Sequence, residues 1–139
     1  MPSVNGNPPE LANVVLQAMV CTEHCPDGVR EDAANVVYFR IHDTWHRLYF
    51  DIGCVFWRCD VQEIPDYPGP PSAIETFVNV DLGRDLAISG RTIASCVTTP
   101  IDERDSKVTF NFSGGGSLSF TCIGDITSIQ HENLVDRGT

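Results

Sequence analysis

The sequence predicts a mainly β protein, α+β only at the margin: an antiparallel sandwich or partly open barrel of about seven or eight strands, with two similar hairpins and one N-terminal helix. Three observations predict it. Residues 45–60 alternate apolar and polar side chains on either side of Gly53. Residues 106–122 repeat that plan around a longer glycine turn. Short alternating runs, separated by turn residues, recur through the rest of the chain. Successive side chains on a strand point to opposite faces, so a period of two marks a strand with a buried face.

In the first hairpin, Leu48, Phe50 and Ile52 alternate with Tyr49 and Asp51, and Val55, Trp57 and Cys59 alternate with Phe56 and Arg58. Gly53 supplies the backbone freedom for the turn. In the second, Lys107-Val108-Thr109-Phe110-Asn111-Phe112 corresponds to Arg47–Ile52, and Gly116–Cys122 to Gly53–Cys59. The second hairpin has a polar outer face of Thr109, Asn111, Ser117, Ser119 and Thr121, the pattern of a sheet with one side wet. The first carries Tyr49 and Phe56 on its outer face, so another element or a partner is expected to cover it.

The N-terminal helix is expected over residues 9–21. Asn7-Pro8-Pro9-Glu10 offers an N-cap, prolines in the first turn and a carboxylate at the positive end. Leu11, Val14, Val15, Ala18 and Met19 then fall on one helical face. That face is expected to pack on Tyr49 and Phe56. The whole chain, 1–139, reads as a single domain: a flexible leader over 1–8, the helix, a β domain over 35–130 and a polar tail over 131–139. Residues 22–34 read as a polar loop and the proline-rich stretch 62–72 as an exposed connection. Strands are expected over 35–41, 73–80, 91–98 and 126–130, with a turn and a short strand near 86–88.

Nineteen acidic residues stand against nine basic ones, for a net charge of −10. Such a chain repels phosphate backbones, which disfavours nucleic acid, and attracts basic proteins. No apolar run is long enough for a membrane helix, and the N-terminus lacks the basic region of a signal peptide, so the cytoplasm is the expected compartment. In that compartment the six cysteines are expected to be reduced, with Cys59, Cys96 and Cys122 acting as small buried hydrophobes.

Chemistry-bearing clusters are few. Cys21, His24 and Cys25 have the spacing of a partial zinc site, but no second ligand pair follows, so neither a metal nor another cofactor is expected. Ser113-Gly114-Gly115-Gly116 lacks the lysine and the helix of a phosphate-binding loop and reads as a hairpin turn. Binding candidates are the aromatic residues with acidic neighbours: Asp43, Trp45, Asp60, Asp66 and Tyr67, which suit a basic protein partner. A second reading is a small β-barrel enzyme or ligand-binding protein with a pocket near His42, His46 and Cys54.

Ser89-Gly90-Arg91-Thr92-Ile93, followed by Val108–Phe112, a glycine turn and Leu118-Ser119-Phe120, resembles small bacterial β-proteins of the polymorphic-toxin immunity type. The resemblance spans residues 86–123, with a fainter copy over 45–60, and transfers no functional residue. It implies a cytoplasmic, non-enzymatic protein that neutralises a cognate basic toxin domain, and it is compatible with a homodimer.

Overall fold

The computed structural model describes residues 3–24, 32–51, 53–61 and 77–134. In chain order the elements are β1 (Ser3–Asn5), β2 (Val14–Val15), β3 (Ala18–His24), β4 (Asp32–Ile41), β5 (Thr44–Asp51), β6 (Cys54–Val61) and β7 (Phe77–Asp81). A single helical turn, α1 (Leu82–Asp85), precedes β8 (Thr92–Pro100), β9 (Ser106–Phe112), β10 (Ser117–Ile123) and β11 (Ile126–Glu132). They form two sheets, ordered β1-β6-β5-β4-β3-β7 and β11-β10-β9-β8-β2. Every pairing is antiparallel except β1 beside β6. The sheets do not close into a barrel, and the arrangement is sandwich-like.

Both hairpins are present, one in each sheet. Leu48 lies opposite Trp57 and Phe50 opposite Val55 in the first. Phe110 lies opposite Leu118 and Val108 opposite Phe120 in the second. The inward faces of the two sheets share one core, drawn from Met19, Phe39, Leu48, Val55 and Trp57 on one side and Ile93, Val108, Phe110, Leu118 and Phe120 on the other. Phe39 and Phe110 meet edge to face across the layers, with ring centroids 5.8 Å apart.

The N-terminal helix does not form. Residues 14–15 pair with β8 and residues 18–24 lie between β4 and β7, so one extended segment crosses from one sheet to the other. The physical reason is visible in the composition. From Val14 to Cys21 Gln17 is the sole polar residue, so the run lacks the polar face that a surface helix needs, and its three valines suit extended backbone. Asn13, at φ 65°, breaks any helix before that run begins. Leu16, which the helical face leaves out, is fully buried, whereas Val15, which it includes, is exposed. The extra strands β1, β2 and β3 also raise the count above the expected seven or eight. Ser3–Asn5, expected in the mobile leader, pairs with Cys54–Phe56. The expected short strand at 86–88 is replaced by α1 and its turn, in which the Asp81 carboxylate accepts the Arg84 N–H at 3.0 Å.

In place of the expected helix contact, the half-buried Tyr49 and Phe56 rings pack on each other. The two rings are cross-strand partners stacked 4.8 Å apart, and the Arg47 and Arg58 guanidiniums lie 5.3 and 5.5 Å from the Tyr49 and Phe56 centroids. On the other sheet the polar face is internally bonded: Thr109 and Ser119 share a hydroxyl hydrogen bond of 2.9 Å, and Asn111 Nδ2 donates to Ser95 Oγ at 3.0 Å. No helix among the described residues is long and apolar enough to cross a membrane.

Candidate functional site

The residues nominated from sequence separate when the chain folds. Asp43 and His42 form the two-residue turn between β4 and β5, both with positive φ, as such a turn demands. Asp43 is occupied at home. Gln17 Nε2 donates to its Oδ1 at 2.8 Å, its own N–H donates to Gln17 Oε1 at 2.7 Å, and Arg40 Nη2 stands 3.8 Å away. The Arg40 and Asp43 side chains are both exposed, so that ion pair adds little stability. Trp45 is half-buried beside this turn, opposite Arg40. Asp60 lies in β6, but its side chain, and the whole of Asp66 and Tyr67, lie outside the described residues.

The second nominated group does not converge. His42 precedes β5 and Cys54 follows it, so the two stand at opposite ends of that eight-residue strand. His46 is buried and stacked on Phe39, centroids 5.2 Å apart. Burial first, and the nearby His42 second, hold its pKa below the ordinary 6.5. Its consequence is for stability. Well above pH 6.5 the native and unfolded states both keep His46 neutral. As the pH falls below that value the unfolded state takes up a proton that the native state resists, so stability drops until the native pKa is passed. His46→Phe is expected to flatten this acid-side decline in thermal melts run from pH 7 downward. A decline of unchanged steepness in the variant would refute it.

Cys21 is buried in the core and its thiol donates to the Ala33 carbonyl at 3.5 Å. His24 is half-buried at the end of β3, and Cys25 lies outside the described residues. Cys96 faces a cleft of about 500 Å³ between residues 8–12 and β8, together with Trp57, Ser95 and Thr98. Burial pushes its thiol up to about 12, so it stays protonated at neutral pH and is a poor nucleophile. Cys122 is buried as expected, but Cys59, expected to be buried, is exposed near the end of β6. The Ser113–Gly116 turn is held by Arg91, whose Nη2 donates to the Ser113 and Gly115 carbonyls at 3.0 and 2.6 Å. Its carbonyls, rather than a cradle of N–H groups, face the cation.

A different part of the molecule gathers the charge. Three turns meet at one end: the one at Gly53 between β5 and β6, residues 101–105 between β8 and β9, and Gly124-Asp125 between β10 and β11. The Asp105 carboxylate accepts the Gly124 N–H at 3.1 Å and joins the second turn to the third. A Cβ on Gly53 would lie 3.4 Å from the Arg104 Cα and carbonyl oxygen, so the first turn touches the second. Asp102 accepts the N–H groups of Arg104 and Asp105 at 2.9 and 2.8 Å. Those two hydrogen bonds hold its carboxyl below the usual range and keep it ionised. The end thus presents Asp51, Asp102, Glu103, Asp105 and Asp125 with Arg104 as the one cation among these turn residues. Ile101, Ile123 and Ile126 are exposed beside them. The sequence carries a signal for this in Ile101-Asp-Glu-Arg-Asp105 and Ile123-Gly-Asp-Ile126, turns flanked by isoleucines where polar residues are usual.

The fold and these sites define a two-sheet β protein with an acidic end. No protein-family profile, curated protein or solved structure matches the chain.

Proposed function

We propose that this chain is a non-enzymatic, cytoplasmic protein-binding module of the immunity type, which neutralises a cognate basic toxin domain by covering it. The observation that carries the reading is the charge: −10 on 139 residues. An acidic surface accelerates encounter with a basic protein and penalises acidic competitors. The Asp43 and Trp45 turn, with Asp60, Asp66 and Tyr67, is the surface that composition nominates: carboxylates for attraction and aromatic rings for anchoring. Two copies of the chain forming a homodimer would be compatible with this role.

The test is association kinetics with the product of a neighbouring toxin reading frame, measured at low and high salt. The Debye length shrinks from about 10 Å at 0.1 M to about 3 Å at 1 M salt, so the on-rate is expected to fall steeply while the off-rate changes little. An acidic partner, or an on-rate indifferent to salt, would overturn the reading.

A further inference from the structure

We infer that the end formed by the β5–β6, β8–β9 and β10–β11 turns is the docking surface for a basic segment of a partner protein, one that carries apolar side chains between its lysines or arginines. This rests on the proposed binding of a basic partner and assigns it a place away from Asp43 and Trp45.

The first ground is apolar area. Ile101, Ile123 and Ile126 are 47, 55 and 46 % exposed, three of the six strongly exposed large hydrophobics among the described residues. Ile123 and Ile126 are direct register partners across the β10–β11 hairpin, so they stand side by side on adjoining strands. A lone exposed isoleucine is ordinary, but three on the turns of one end mark a surface that meets another molecule. Beside them runs a groove of about 560 Å³, lined by Asp102, Glu103, Arg104, Asp105, Ile123 and Asp125 among others.

The second ground is charge complementarity. Asp102, Glu103, Asp105 and Asp125 line the groove with Ile123 against one arginine, Arg104, and Asp51 lies next to the adjoining Gly53 turn. An acidic segment would be repelled, and a neutral one would desolvate these carboxylates with nothing in return. A second copy of the chain, approaching end to end, would bring five more carboxylates to the same place. The same rim that recruits a basic partner therefore discourages self-association through the isoleucines. The Asp43 turn lacks this combination: none of the strongly exposed large hydrophobics among the described residues lies on it.

The test uses the full chain, labelled with ¹⁵N, and three synthetic peptides of equal length: alternating Lys and Leu, alternating Lys and Ser, and alternating Glu and Leu. The Lys/Leu peptide is expected to shift the amides of residues 101–105, 123–126, Asp51 and Gly53, and to bind about tenfold tighter than the Lys/Ser peptide. The combined change Ile101→Ser, Ile123→Ser and Ile126→Ser should erase that difference while the spectrum keeps its native dispersion. The combined change Asp102→Asn, Glu103→Gln and Asp125→Asn should slow association and flatten its salt dependence. Asp105 is left in place because it ties two turns together. Shifts centred on residues 42–45, equal binding of the Glu/Leu peptide, unaltered binding by the isoleucine variant, or no binding of either lysine peptide would each overturn the assignment. None of these outcomes touches the functional reading itself, which stands or falls on the salt-dependent kinetics with the toxin-frame product.

Discussion

Phe110→Ala is expected to lower folding stability by about 3–5 kcal/mol, the range for deleting a fully buried aromatic ring. Phe110 has no exposed surface. Its ring touches Phe39 of the opposite sheet and Phe120 of its own, at 5.8 and 6.0 Å between centroids. Truncation therefore opens a cavity at the seam between the layers, where neither sheet can collapse without shifting the other. Edge-to-face geometry is lost together with the transfer energy. Phe56→Ala is the control: Phe56 is half-buried on the outer face, stacked on Tyr49, and its removal leaves no enclosed void. Urea denaturation of both variants reads the difference as a displacement of the midpoint. Equal displacements would mean that the two sheets do not pack on this ring.

The hairpins were legible because their information is local. Alternation at Leu48, Phe50, Val55 and Trp57, and at Val108, Phe110, Leu118 and Phe120, fixes both the strands and the face each buries, and the turn residues lie between them. Gly124-Asp125 was legible for the same reason, since a two-residue turn with positive φ at both positions favours these residue types.

What depends on distant partners was not legible. Asp43 could be read as an exposed acid beside a tryptophan, but its bonds come from Gln17, 26 residues upstream. His42 and Cys54 are close in sequence and far apart in space, because an extended strand of eight residues separates them. Conversely Asp51, Asp102 and Asp125 are far apart in sequence and share one end of the molecule. Which end a hairpin's turn occupies is decided by strand order: the Gly53 turn meets Arg104 before β9, whereas the Ser113–Gly116 turn closes β9 at its far end. No window of sequence contains that relation.

The sharpest expected difference lies between two neighbouring residues. Leu16→Ala should cost about 2–5 kcal/mol, the range for a buried leucine, while Val15→Thr should change stability by no more than about 0.5 kcal/mol. An amphipathic helix over residues 9–21 requires the opposite, because its apolar face takes Val15 and turns Leu16 toward water. The extended segment reverses them. Val15 pairs with Thr92 at the edge of the second sheet and is 48 % exposed, whereas Leu16 is 0 % exposed. The Leu16 N–H donates to the Arg91 carbonyl at 2.9 Å and its carbonyl accepts the Gly90 N–H at 2.7 Å, and the next N–H, of Gln17, donates to Arg40 in the other sheet at 2.9 Å. Leu16 is thus the point where the chain leaves one sheet for the other, and its side chain fills the space the crossing encloses. Threonine at position 15 keeps the β-branch that suits a strand and places its hydroxyl in solvent. Thermal melts of the two single variants decide the matter: a larger loss at Val15 than at Leu16 would restore the helix and sink the sheet-to-sheet crossing.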